Sequence, residues 1–323
     1  MTKRLQLIKE LFLFLLLLSI CLILSVGENF SSTVISGISL WFFSVFPSLF
    51  PYFFITSILS SLSATRIIVN KISPFFARVF NLSGSVGYAF IMSLICGYPM
   101  GAKIVSDLKK EGAISEIESV RGSALCSSSS PMFLIVSVGT IMFSSKRFGL
   151  VLFATHLISV IFMGVIFSFY KRSDRPNLSS LNQQCKKIDN ILYESAFSAV
   201  ISVLVVGALI TIFYLLTEIL VFYKVLSPIT KFLTLFTKND AISSGLVLGA
   251  FECTKGLKVL SNISPKIALP YCAFICGFGG LSVIFQSVAY LKSAKIKIAP
   301  FLVSKCVQAI LSFILGVIFC RFL

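Results

Sequence analysis

Long apolar blocks separated by short basic stretches run the length of the chain. Leu11–Leu24, Val34–Leu62, Gly122–Phe143, Leu150–Tyr170, Leu192–Phe222, Ile267–Leu291 and Pro300–Phe319 form the series. Blocks near 20 residues are long enough to cross a bilayer with some tilt. The first follows Lys3 and Arg4 and fits either a signal peptide or an uncleaved helix. Ser25-Val26-Gly27-Glu28 is a mediocre cleavage site, which favours an anchor helix over residues 1–30. Pro47 and Pro51 predict a kink in the second block, and Trp41 suits a membrane interface. Between Arg66 and Leu82 apolar residues recur at helical spacing, with Arg66, Lys71 and Arg78 on the other side. That pattern predicts a helix lying in the interface. Lys224 to Lys238 repeats it.

Two further apolar blocks read as short, glycine-bearing hairpins rather than spans. Gly84–Pro99 ends in Gly97-Tyr98-Pro99-Met100-Gly101-Ala102-Lys103, and Ala241–Leu260 surrounds Gly249-Ala250-Phe251-Glu252-Cys253-Thr254-Lys255-Gly256. Their length and their glycines predict two re-entrant hairpins with tips at these sequences.

Two further interruptions fall inside spans. Cys126 to Val138 opens with four serines and a proline, and Cys276 to Val288 opens with Cys-Gly-Phe-Gly-Gly. Cys126 aligns with Cys276, Ser129 and Ser130 with Gly279 and Gly280, and Ser137-Val138 with Ser287-Val288. Serines bond their own backbone, proline removes a donor and glycine loosens the chain, so neither helix runs unbroken. Non-helical backbone at membrane depth survives only inside protein or beside a water-filled cavity. Paired interruptions in two halves are the sequence pointer to a transporter's binding site.

Composition agrees. The 323 residues are 57% hydrophobic and 12% charged, with mean hydropathy +0.98, far from the roughly 25% charged residues of soluble domains. The net charge of +16 is scattered between apolar segments. This distribution argues for positive-inside loops and snorkelling anchors rather than nucleic-acid binding, with attraction of an anionic substrate as the alternative. The nine cysteines form no paired framework and read as small apolar residues.

The predicted fold is an all-α polytopic membrane protein built as an inverted repeat, with two re-entrant hairpins and two broken transmembrane helices. Residues 31–175 form the first repeat, 176–190 a cytoplasmic linker and 191–323 the second repeat. Each repeat crosses three times, so the second is upside-down to the first. This puts Arg66 to Arg78 and the 171–187 loop inside, and Lys224, Lys231 and Lys238 outside against the charge bias.

The tips and breaks would converge at the midplane. The predicted substrate-binding residues are Gly97, Tyr98, Pro99, Ser127, Ser128, Ser129, Ser130, Glu252, Thr254, Gly277, Gly279, Gly280 and Gln286. Each break starts a half-helix whose first N–H groups are free, with Ser130 as cap and Pro131 at the first helical position. Facing helix N-termini bind anions, and a small carboxylate is the natural guest. Glu252 is costly at membrane depth. Either it couples a proton or cation or bonds substrate, or its tip reaches water, or it pairs with Lys255 or Lys258. Gln286 reads as an interhelical hydrogen bond or a site residue, and His156 as packing rather than a proton relay. Lys103 and Lys255 read as snorkelling residues.

The sequence has no phosphate loop, H-E-x-x-H or nucleophile elbow. It therefore reads as a non-enzyme needing no cofactor beyond a coupling proton or sodium ion. Its partners are a small anion and the lipid bilayer, with a homo-oligomer left open.

At Gly97–Lys103, Cys126–Phe133, Glu252–Lys258 and Gly277–Ser282 with Gln286 the chain resembles the sporulation integral membrane protein YlbJ (SpoVV) family, whose members carry the Gate, or nucleoside-recognition, domain. The resemblance spans most of the chain beyond the first helix. It implies a secondary transporter in endospore formation, moving dipicolinic acid across the outer forespore membrane. The hairpin-and-broken-helix plan is also similar to that of concentrative nucleoside transporters. The family's first break usually reads Asn-Asn-Ser-Gly-Pro, where this chain has Ser127-Ser128-Ser129-Ser130-Pro131. A nucleoside transporter and a non-transporting membrane scaffold are the competing readings.

Overall fold

The computed structural model describes residues 30–62, 64–174 and 188–323. The expected anchor at 1–30 lies outside these apart from Phe30, as do the linker through residue 187 and the side chain of Arg66. Among the described residues the fold is all helical. The first half holds α1 (Phe30–Leu40), α2 (Phe46–Ser61), α3 (Ala64–Phe80), α4 (Gly84–Cys96), α5 (Met100–Lys110), α6 (Glu116–Leu125), α7 (Met132–Met142) and α8 (Lys146–Ser168). The second holds α9 (Ile188–Phe222), α10 (Ser227–Thr237), α11 (Asp240–Phe251), α12 (Cys253–Leu260), α13 (Pro265–Phe278), α14 (Gly280–Ser293) and α15 (Ile298–Phe319).

Among the described residues four helical stretches are long and apolar enough to cross a membrane: Lys146–Ser168, Ile191–Phe222, Pro265–Ser293 and Ile298–Phe322. A fifth is counted if α3 and α4, bent by 90°, form one span. Two blocks expected to be kinked or broken are irregular at the predicted places. The Val34–Leu62 block has a π-helical turn at Trp41–Val45, after which α2 follows with Pro47 in its first turn. Proline lacks the N–H that an unbroken ladder would need there. The Gly122–Phe143 block stops at Leu125 and resumes as the π-helical α7. Trp41 is a packing residue: its indole N–H donates to the Val203 carbonyl (3.2 Å), and its ring lies on Gly207 of α9.

The short helices come in pairs. α4 and α5 have 13 and 11 residues, α11 and α12 have 12 and 8. Thirteen residues reach only about 20 Å, short of the ~30 Å hydrocarbon core. Gly256 lets the paired helices α12 and α11 approach, since a Cβ there would strike the Gly249 backbone.

α6 ties two helix ends together. Ser115 caps it by accepting from Glu118 N (3.0 Å). Glu118 accepts from Ser83 N (2.7 Å) at the start of α4. One turn on, the buried Arg121 guanidinium donates to the carbonyls of Tyr170, Lys171 and Asp174 past the end of α8 and to that of Asn81. An anion at a helix N-terminus and a cation at a C-terminus both oppose the local dipole.

Chain connections sort to two ends. At one, Asn81, Arg121 and Tyr170–Asp174 meet, and Lys297 Nζ pairs with Glu116 at 2.9 Å over a cavity of about 280 Å³. At the other, Phe143 stacks on Phe148 at 3.9 Å in a cluster with Leu260, Ile263 and Phe319.

The Glu116 carboxyl is held below its ordinary 4.5 by the hydrogen bond from Lys297, and Lys297 is raised above 10.5 by Glu116. The depressed acid contributes above its unfolded value and fails as pH falls through the folded one. The raised base contributes below its unfolded value and fails as pH rises through the folded one. The pair therefore acts across the neutral range, but both side chains are solvated and salt screens them. Lys297→Gln should lower the melting temperature slightly in low salt and leave it unchanged in high salt. An equally large drop in both would contradict this account.

Candidate functional site

The α4–α5 tip is made by Gly97, Tyr98 and Pro99. Gly97 sits at φ +80°, and a Cβ there would lie 2.8 Å from Ser130 N. Gly101 is pressed against the Cys126 carbonyl in the same way. The first tip therefore packs directly on the first break.

In that break Ser127, Ser128 and Ser129 are buried and non-helical. Ser130 accepts from Phe133 N (3.3 Å), capping the helix that Pro131 starts. The Ser127 carbonyl accepts from the Tyr98 hydroxyl (3.1 Å). Ser129 N donates to His156 Nε2 (3.0 Å), a fully buried ring on α8 whose Nδ1 finds no partner among the described residues. His156 thus packs on the break itself.

The second break is narrower than the sequence suggested. α13 stays helical through Gly277 and Phe278, and the chain turns at Gly279 and Gly280, with φ of +88° and +74°. Gly277 does not face the opening; it lets α13 approach α15 at Ala309 and Ser312. A Cβ on Gly280 would meet Gly249 O at 3.0 Å and Cys253 N at 3.1 Å, so the second tip packs on the second break. A Cβ on Gly279 would lie 3.8 Å from Tyr98 Cζ, which joins the two halves.

Glu252 lies between α11 and α12, 5% exposed. Its carboxylate caps α12, accepting from Lys255 N (2.8 Å) and the Thr254 hydroxyl (3.1 Å). The Lys255 ammonium instead pairs with Glu218 of α9 at 2.6 Å and lies 3.7 Å over the Tyr214 ring. The expected Glu252–Lys255 pairing is therefore a backbone bond, not an ion pair. Gln286 donates to Ser282 (3.3 Å) within α14 rather than across to another helix. Lys103 pairs with Asp107 at 3.2 Å. Cys253, distant in sequence from Cys276, places its thiol against it.

Lys305 of α15 was missed from the sequence. It is 1% exposed, and its ammonium donates to the Tyr98 hydroxyl (2.6 Å) and to Gln308 Oε1 (2.8 Å). Among the described residues it has no ion-pair partner. The signal was available: an ionisable residue inside an apolar span is a functional-site hypothesis by default.

Residues 42–172 match the Gate family model, described as nucleoside recognition. The chain is also 27% identical over 300 residues to the sporulation integral membrane protein YlbJ of Bacillus subtilis (strain 168), covering 85% of this chain and 74% of that protein. Over these stretches the chain is similar to the Gate domain and to the YlbJ sporulation membrane protein. No solved structure matches it. The segment matched by the Gate model carries the first tip, the first break and His156, whereas Lys305 and the second break lie beyond it.

Proposed function

We propose that this integral membrane protein is a secondary transporter of a small organic anion. The observation that carries the reading is the convergence of both tips on both breaks, linked through Tyr98 and Gly279. Non-helical backbone assembled deep in an apolar fold is the arrangement in which transporters hold substrate.

On this reading α4–α5 and α11–α12 are re-entrant hairpins of two inverted repeats. Their plan is similar to that of concentrative nucleoside transporters. The sorting of connections to two ends supports it: the α8 exit lies with the α14–α15 turn, and the α7–α8 turn lies with the end of α12. Likeness to a sporulation protein makes dipicolinate the first substrate to try and the outer forespore membrane the first location. The family model's description favours nucleosides as the second reading.

Uptake by the full chain in reconstituted vesicles decides between them. Labelled dipicolinate should accumulate under an imposed proton or sodium gradient, and uridine should not. The reverse result would establish the second reading. Accumulation of neither under any gradient would remove transport.

Glu252 is the candidate coupling group. Glu252→Gln keeps an acceptor for the α12 cap but removes the charge. Gradient-driven uptake should fall by roughly tenfold or more while substrate exchange at equilibrium persists. Unchanged gradient dependence would exclude it as the coupling residue.

A further inference from the structure

We infer that Lys305, oriented by the Tyr98 hydroxyl, is the fixed positive charge of the substrate site, and that it binds one carboxylate of a dicarboxylate ligand together with the Gln308 amide. The inference rests on the transport reading above.

The geometry is that of a built polar site. A buried ammonium without a carboxylate is expensive unless an anion completes it. Lys305 is held only by neutral partners, Tyr98 and Gln308. These use two of the three donors an ammonium carries. Gln308 is 1% exposed, and its Nε2 donors have no partner among the described residues. The Ser127 hydroxyl, in the break that Tyr98 bonds, is likewise buried and without one. Buried donors left unbonded cost free energy, so their concentration around one cation points to a ligand that accepts.

A second anion contact lies one phenol ring away. A Cβ on Gly279 would lie 3.8 Å from Tyr98 Cζ, and Gly279 is the N-cap of α14, whose N-terminus has no side-chain cap. The first N–H groups of that helix lack intrahelical partners and carry the positive end of its dipole. One carboxylate on Lys305 and the other on the α14 amides would satisfy both. The carboxylate of Glu252 does not compete, because it is engaged in capping α12.

Gln308→Glu is the decisive variant. It is nearly isosteric and places an internal carboxylate against Lys305, so folding should be unharmed. Ligand binding is read by thermal stabilisation and equilibrium binding of the purified full chain in detergent, with dipicolinate, picolinate and uridine as probes. The wild-type chain should bind dipicolinate, and picolinate at least about tenfold more weakly. Gln308→Glu should weaken dipicolinate by at least roughly 30-fold, as removal of a buried charge contact does. Lys305→Met should do the same wherever its melting curve shows folded protein, and Lys305→Arg should recover part of the loss.

A folded Gln308→Glu chain that binds dipicolinate like the wild type overturns the inference and leaves anion transport standing. A wild-type chain that binds uridine but neither carboxylate overturns the anion reading and the inference with it.

Discussion

Arg121→Ala lowers the stability of the folded chain by roughly 3–5 kcal/mol, less than the sum of the charge-assisted bonds it removes. The guanidinium bonds four carbonyls: Asn81 at 3.0 Å, Tyr170 and Asp174 at 2.9 Å, and Lys171 at 2.6 Å. A bond from a charged donor contributes about 1.5–3 kcal/mol. The full sum is not lost, because water can enter beside Tyr170 and Asp174, which line the nearby cavity. The same side chain also offsets the negative end of α8. Lysine keeps the charge but cannot reach four acceptors with one nitrogen, so Arg121→Lys should recover less than half. Thermal unfolding of the purified chain in detergent reads the effect, and an unchanged melting temperature for Arg121→Ala would sink the account. Because α6 leads straight into the first break, its loss should also reduce uptake by protein that remains folded.

Gly280→Ala should cost stability and, on the proposed transport reading, uptake. At φ +74° any side chain is strained, by about 1–2 kcal/mol. The new Cβ would also stand 3.0 Å from Gly249 O and 3.1 Å from Cys253 N. Both neighbours are backbone, so relief requires moving the second tip off the second break. Overpacking of this kind adds roughly 1–3 kcal/mol. Gly112 separates the two contributions. It has φ +71° with nothing within 4 Å of a built Cβ. Gly112→Ala therefore carries the strain alone and should leave uptake intact, whereas Gly280→Ala should abolish it. Equal uptake by the two variants would show that contact between tip and break is irrelevant to transport.

Legibility in the sequence followed the range of the forces. The helical character of the chain, the short paired helices and the positions of both interruptions were readable, because hydrophobic period, serine runs, proline and glycine act through neighbours a few residues away. The capping role of Ser130 was readable for the same reason. The extent of the second break was not. Gly277 resembles Gly279 and Gly280 in sequence, yet only the last two take the positive φ that turns the chain. What holds Gly277 in α13 is close approach to α15, over 30 residues away.

The chain's own pattern determined that it is a helical membrane protein with matched interruptions in its halves. Tertiary structure alone decided which polar groups line them. His156 packs on the break because α8 brings it to Ser129, and Lys305 gains its meaning from Tyr98, 207 positions earlier. A buried charge is interpreted by the groups it faces across the fold, and no local period or propensity records who those are.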